Sequence, residues 1–130
     1  MKSIWMVLGF GMIAHSVAAA PVKLTITNTG GEAGLVRIAV FNDPRYFPDH
    51  KEGIIKDVYA RAVKGQLSTV TSVDLPPGTY AFNMFLDKAE TGKPDGNGRL
   101  NTGLMGIPSE RYGCTTNPGF APRAPHFDEC

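Results

Sequence analysis

Leu75-Pro76-Pro77-Gly78-Thr79-Tyr80-Ala81-Phe82-Asn83-Met84-Phe85-Leu86-Asp87 is the stretch that decides the fold. Pro76-Pro77-Gly78 predicts a turn, because proline presets φ and glycine relaxes the steric limits on the chain. Beyond it, Tyr80, Phe82, Met84 and Leu86 alternate with Ala81, Asn83 and Phe85, which is the period of a strand. This is the most apolar run downstream of the N-terminus, so it is expected to lie centrally in a sheet. Gly78-Thr79-Tyr80 at a strand start also fits a tyrosine corner, in which a hydroxyl bonds to backbone a few residues upstream in β-sandwiches.

Working upstream, residues 67–75 are rich in Thr and Val, with Leu67, Thr69, Thr71, Val73 and Leu75 in phase on a pleated surface. In residues 54–64, Ile54, Val58 and Ala62 have helical spacing, while Val58, Ala60 and Ala62 fit a strand. The β neighbours favour the strand. Residues 43–53 read as a loop, with Tyr46 and Phe47 expected to cap the edge of the core. Residues 35–41 and 22–28 alternate again, the first through Val36, Ile38 and Val40, the second through Val22, Leu24 and Ile26. With Gly30-Gly31 between them they predict a hairpin-like start. After Asp87 the periodicity stops. Residues 87–126 carry many Gly and Pro, yet also Leu104, Met105, Ile107, Tyr112 and Phe120, so an ordered, loop-rich segment over one end of the fold is expected.

Residues 1–19 read as a signal peptide: Lys2 is the positive end, Ile4–Ile13 the apolar stretch, and Ser16-Val17-Ala18-Ala19-Ala20 the small-residue cleavage region. Pro21 disfavours a cut after Ala20, which leaves Ala18 or Ala19. The apolar stretch is shorter than the roughly 20 residues of a spanning helix. Residues 20–130 then form one domain, periplasmic or extracellular, with no membrane span after cleavage. Without Lys2 the charges balance at twelve basic and twelve acidic residues, which argues against a nucleic-acid partner. Export makes a Cys114–Cys130 disulfide the expected state. Closing that loop of about 15 residues contributes roughly 3 kcal/mol in the chain-entropy model. The alternatives are a free or intermolecular thiol and, least supported, a catalytic Cys with His126 as base.

Together, Leu75–Ala81, Asp87, Asn97-Gly98-Arg99-Leu100 and Gly106-Ile107-Pro108-Ser109-Glu110-Arg111-Tyr112-Gly113 resemble the bacterial domain-of-unknown-function family 2141. That family typically shows Leu-Pro-Pro-Gly-x-Tyr-Ala, an Asp-rich Gly-Asn-Gly loop, Gly-Ile-Pro-x-Glu-x-Tyr-Gly and a Pro-x-Phe-Asp-Asp segment. The last corresponds here to Ala124-Pro125-His126-Phe127-Asp128-Glu129. The resemblance covers residues 22–130 and implies an exported β-sandwich with no established enzymatic activity. The expected fold is therefore all-β, an Ig-like or prealbumin-like antiparallel β-sandwich with a long loop-rich C-terminal segment. Three departures stand out. The Asp loop, residues 87–98, is longer; Asn101 replaces an Asp; and the chain ends at Cys130, where the family usually continues into one more strand. A missing final strand leaves a sheet edge exposed.

Asp87, Glu90, Asp95, Asn97 and Asn101 cluster among glycines, and Ca²⁺ takes six to eight oxygen ligands of this kind. Asp87, Asp95, Asn97 and Asn101 form the candidate Ca²⁺ set. Arg99 and Gly106 fall where an EF-hand needs ligands, so it is not one. The competing reading is a solvated turn in which Asp and Asn bond to their own backbone. His50 and His126 have no zinc spacing, no Gly-x-Ser-x-Gly elbow is present, and the Gly-x-Gly pieces lack a βαβ context. Glu110-Arg111 beside Tyr112 is expected to hold its segment by local ion pairing. Three functions compete. The leading one is a noncatalytic exported module that binds a protein or envelope ligand through Arg111, Tyr112, Phe120 and Arg123. The second is a Ca²⁺-stabilised structural module. The third is a hydrolase using Asp87 or Glu110.

Overall fold

A computed structural model of the protein describes residues 4–8, 18–48, 50–100, 110–115 and 126–130. The strands are β1 (Ile4–Leu8), β2 (Ala20–Thr27), β3 (Gly34–Phe41), β4 (Ile54–Ala62), β5 (Ser68–Leu75), β6 (Ala81–Lys88) and β7 (Tyr112–Cys114). They form two antiparallel sheets, ordered β1-β2-β5 and β4-β3-β6-β7, that face each other as a sandwich. The core lies between them: Val22, Leu24 and Ile26 of β2, with Val73 and Leu75 of β5, meet Val36, Ile38, Val40, Val58, Ala60, Phe82, Met84 and Leu86. Every one of these is in phase along its strand, because side chains two residues apart share a face.

The predicted strands all form, and β6 lies inside its sheet between β3 and β7. Residues 54–62 take the strand alternative, which buries Val58, Ala60 and Ala62 together. The Tyr80 hydroxyl donates to the Pro76 carbonyl, so the tyrosine corner is present. Phe47 is buried and meets Phe41 edge-to-face at 5.3 Å, while Tyr46 packs on the same cluster.

The hairpin expected of residues 22–41 does not form. β2 and β3 belong to opposite sheets, and the turn with left-handed Gly30 and Gly31 carries the chain across the sandwich. Both strands bury one apolar face, and that pattern is satisfied equally by pairing within a sheet or by facing across the core. A second difference is at the N-terminus, where residues 4–8 form β1 against β2, Ile4 opposite Ile26 and Leu8 opposite Val22.

One flank of the sandwich is closed by polar contacts. The Thr69 and Thr71 hydroxyls donate to the carbonyls of Arg61 and Tyr59 on β4, at 2.7 and 3.0 Å. These threonines share the inward phase of Val73 and Leu75 but work by hydrogen bonding. Leu67, expected in the same row, is 68% exposed beyond the strand end.

Candidate binding face

Sheet β4-β3-β6-β7 has an outer face, and residues in the strand phase opposite the core build the site. Arg37 lies opposite Tyr59 on one side and Phe85 on the other, and Phe85 lies opposite Tyr112. Tyr59, Arg37, Phe85 and Tyr112 therefore form one row across four strands. With strands about 4.8 Å apart, the row is roughly 14 Å long. Tyr59 and Tyr112 are 51% and 52% exposed, at its two ends. The Arg37 guanidinium lies over the Tyr59 ring, 5.8 Å from its centre.

At one end of this face the loop after β6 folds back on a buried carboxylate. Asp87 is fully buried. The Arg37 Nε donates to its Oδ2 at 2.7 Å, the Asn97 amide to Oδ1 at 3.0 Å and the Gly98 amide to Oδ2 at 2.6 Å. A Cβ on Gly96 would overlap the Asp87 carboxylate, and Gly96 has a φ of +75°. Glycine is required there both by backbone conformation and by space. Glu90 and Lys93 exchange backbone hydrogen bonds at 2.9 and 2.8 Å, which closes the loop tip. Arg61 and Arg37 tie the loop back to the sheet. The first pairs with the Asp95 carboxylate at 2.6 Å, and the second donates to the Asp95 carbonyl at 3.1 Å. Asn97 Oδ1 accepts the Arg99 amide at 3.0 Å, a local turn bond.

Of the four residues in the candidate Ca²⁺ set, the structure thus brings Asp87 and Asn97 together but through the Asn97 backbone. Asp95 faces Arg61, and Asn101 lies outside the described residues. The Asp87 oxygens face N–H donors, the arrangement of a carboxylate that organises backbone. Among the described residues, no group of three or more His, Cys, Asp or Glu is placed to hold a metal ion.

Glu110 is also buried, and its Oε2 accepts the Lys88 amide at 2.7 Å. Arg111 reaches across to the β2–β3 turn: its Nη1 donates to the Asn28 carbonyl at 3.3 Å and its Nε is 3.9 Å from Glu32. Beside Arg111 the backbone of β7 borders a cleft at the edge between the sheets, whose lining includes Ile26, Val36, Met84 and Leu86. Phe120 and Arg123 lie outside the described residues.

At the opposite end of the face, Phe41, Phe47, Ala81 and Cys114 form a second apolar cluster, covered by Tyr46, Phe127 and Cys130. Phe127 meets Phe47 edge-to-face at 5.9 Å, and a Cys114–Cys130 disulfide clips the C-terminal segment to β7. Neither sulfur is a thiol, so neither is a nucleophile in this state.

Sequence reasoning placed Arg111 and Tyr112 at a working surface but missed Tyr59, Arg37 and Phe85. A signal was available: Tyr59 and Phe85 occupy the strand phase opposite the core, where a soluble sheet usually carries polar residues.

A family model described as an uncharacterized protein conserved in bacteria (DUF2141) matches residues 24–130. No curated protein and no solved structure matches the chain.

Proposed function

Since the chain belongs to this bacterial DUF2141 family, whose members are uncharacterised, we propose that it is an exported, noncatalytic β-sandwich module. It binds a protein or ligand of the cell envelope. The binding surface is the outer row Tyr59–Arg37–Phe85–Tyr112. The observation that carries this reading is the pair of half-exposed tyrosines joined by a cross-strand row. Tyrosine offers large, rigid contact area together with a hydroxyl, and aromatic and arginine side chains dominate binding energy at interfaces. Arg37 is held by Asp87 and Tyr59, so the row is preorganised and loses little side-chain freedom on binding. The noncatalytic reading is supported by the two buried carboxylates. Asp87 and Glu110 each accept backbone N–H groups, which suits structural anchors better than an acid and base awaiting substrate. Export is supported by the leader and by the disulfide.

Co-sedimentation of the exported protein with isolated bacterial envelopes tests the surface. The double variant Tyr59→Ala, Tyr112→Ala is expected to bind at least about tenfold more weakly, with an unchanged melting temperature. Equal binding by the double variant rules this surface out. A melt in excess Ca²⁺ and again in chelator tests the role of the Asp87 loop. Equal midpoints are expected; a rise of several degrees with Ca²⁺ would turn the reading to a Ca²⁺-stabilised structural module.

A further inference from the structure

β2 is the middle strand of its sheet because residues 4–8 lie beside it, pairing antiparallel with residues 26–22 over five consecutive positions. Those five residues fall within the stretch that reads as a cleaved leader. Removing the leader turns the outer side of β2 into an edge, with a row of N–H and C=O groups already in antiparallel ladder geometry. Natural sheets guard such edges with charges, prolines, bulges or covering groups. On the opposite flank the β4 edge is guarded, since Thr69 and Thr71 occupy its carbonyls. Among the described residues, residues 4–8 aside, β2 has little of this: Pro21 stands near its start and Lys23 is its single charge.

We propose that, once the leader is cut, the outer edge of β2 pairs with β2 of a second copy of the chain, about a two-fold axis at Leu24. Residues 4–8 hold the same edge in the precursor and keep it monomeric. The inference rests on the leader cleavage that belongs to the proposed export. An antiparallel strand is self-complementary about a two-fold axis, so one edge supplies both halves of the interface. Charge selects the register. An axis at Lys23 sets two lysines opposite each other, whereas an axis at Leu24 sets Lys23 opposite the partner's Thr25. The joined sheet then runs β5-β2-β2-β5 through both copies, with Val22, Leu24 and Ile26 still facing the two cores.

Sedimentation of the secreted chain, with its N-terminus read by intact mass, tests this. A chain beginning at Ala19 or Ala20 is expected to sediment as a dimer, and a chain that keeps residues 1–19 as a monomer. Thr25→Lys is expected to weaken the dimer about tenfold and Thr25→Glu to strengthen it, because each dimer contains the 23–25 pair twice. Should Thr25→Lys fail to fold, Thr25→Glu gives the second test: alone it is expected to strengthen the dimer, and combined with Lys23→Glu, which sets like charges facing, to weaken it. The proposal is overturned by a processed monomer or by a secreted chain that retains its leader. It is equally overturned by a dimer indifferent to the charge changes, or by a different protein bound on the edge in place of the second copy.

Discussion

At the Ala81 end of β6 the covering segments are held by aromatic edges and a disulfide, whereas at the Asp87 end the covering loop is held by one buried carboxylate. Both lie on the outer face of the same sheet, six residues apart along one strand. The apolar end gains from removing Phe41, Phe47 and Ala81 from water and tolerates imperfect geometry, because the hydrophobic effect has no direction. The polar end depends on every contact at once. Asp87 is fully buried, and burying a carboxylate is costly unless its partners are in place. The row Tyr59–Arg37–Phe85–Tyr112 lies between these two ends, so an anchored segment at each side frames the surface proposed to bind.

The sharpest way to break the contrast is to remove the carboxylate. Asp87→Ala leaves Arg37 without its ion-pair partner and two backbone amides without acceptors, and is expected to cost about 3–5 kcal/mol in urea unfolding. Adding Arg37→Met should recover only part of that, because the Asn97 and Gly98 amides remain unmatched. Full recovery would show that the ion pair, and not the loop amides, is what Asp87 serves.

The covalent end has a smaller expected effect. Replacing Cys114 and Cys130 together by Ala should cost about 3 kcal/mol. Hydrogen exchange should rise in residues 126–130 while the Asp87 loop keeps its protection. Loosening at both ends would mean that the two are coupled through β6.

Two glycines separate backbone conformation from contact. Gly92 and Gly96 share a φ of +75°, but a Cβ at Gly92 meets nothing within 4 Å, while at Gly96 it meets the Asp87 carboxylate. Gly92→Ala should cost about 1–2 kcal/mol, the ordinary penalty of a left-handed alanine. Gly96→Ala should cost distinctly more. Equal losses would show that the carboxylate can shift without consequence.

The smallest effect is expected from the same ion-pair chemistry placed in water. Asp43, in the loop at the apolar end, is held below its ordinary carboxylate value by the Arg45 side chain, which bonds to it at 2.6 Å. Because the folded value is lowered, the pair's contribution is complete above the unfolded value of about 3.9 and fades as pH falls through the folded one. Asp43→Asn should lower the melting midpoint slightly at neutral pH, and the difference should vanish in strong acid. A large loss at pH 7 would mean that this exposed pair works as Asp87 does.

Much of this architecture was legible in the residues themselves. Alternation identified β2, β3, β5 and β6, the β neighbours decided β4, Pro76-Pro77-Gly78 with Tyr80 announced the tyrosine corner, and two cysteines in an exported-looking chain announced the disulfide. Each of these is a local property: a strand's period, a turn's φ demands, a residue type suited to a compartment. The three-residue β7 was lost among glycines and prolines, because a segment so short carries no measurable period.

Alternation says which side chains face the same way but not which strand lies next. That is why residues 22–41 suggested a hairpin and instead cross between the sheets. Asp87 and its neighbours suggested ligands for a cation, because a row of oxygens reads alike whether a metal or N–H donors face it; Arg37, fifty residues earlier, shows what faces Asp87 here. The row from Tyr59 to Tyr112 likewise depends on the register of three strand pairs. Strand order and register are set by long-range pairing across a shared core, and no stretch of sequence carries that information alone.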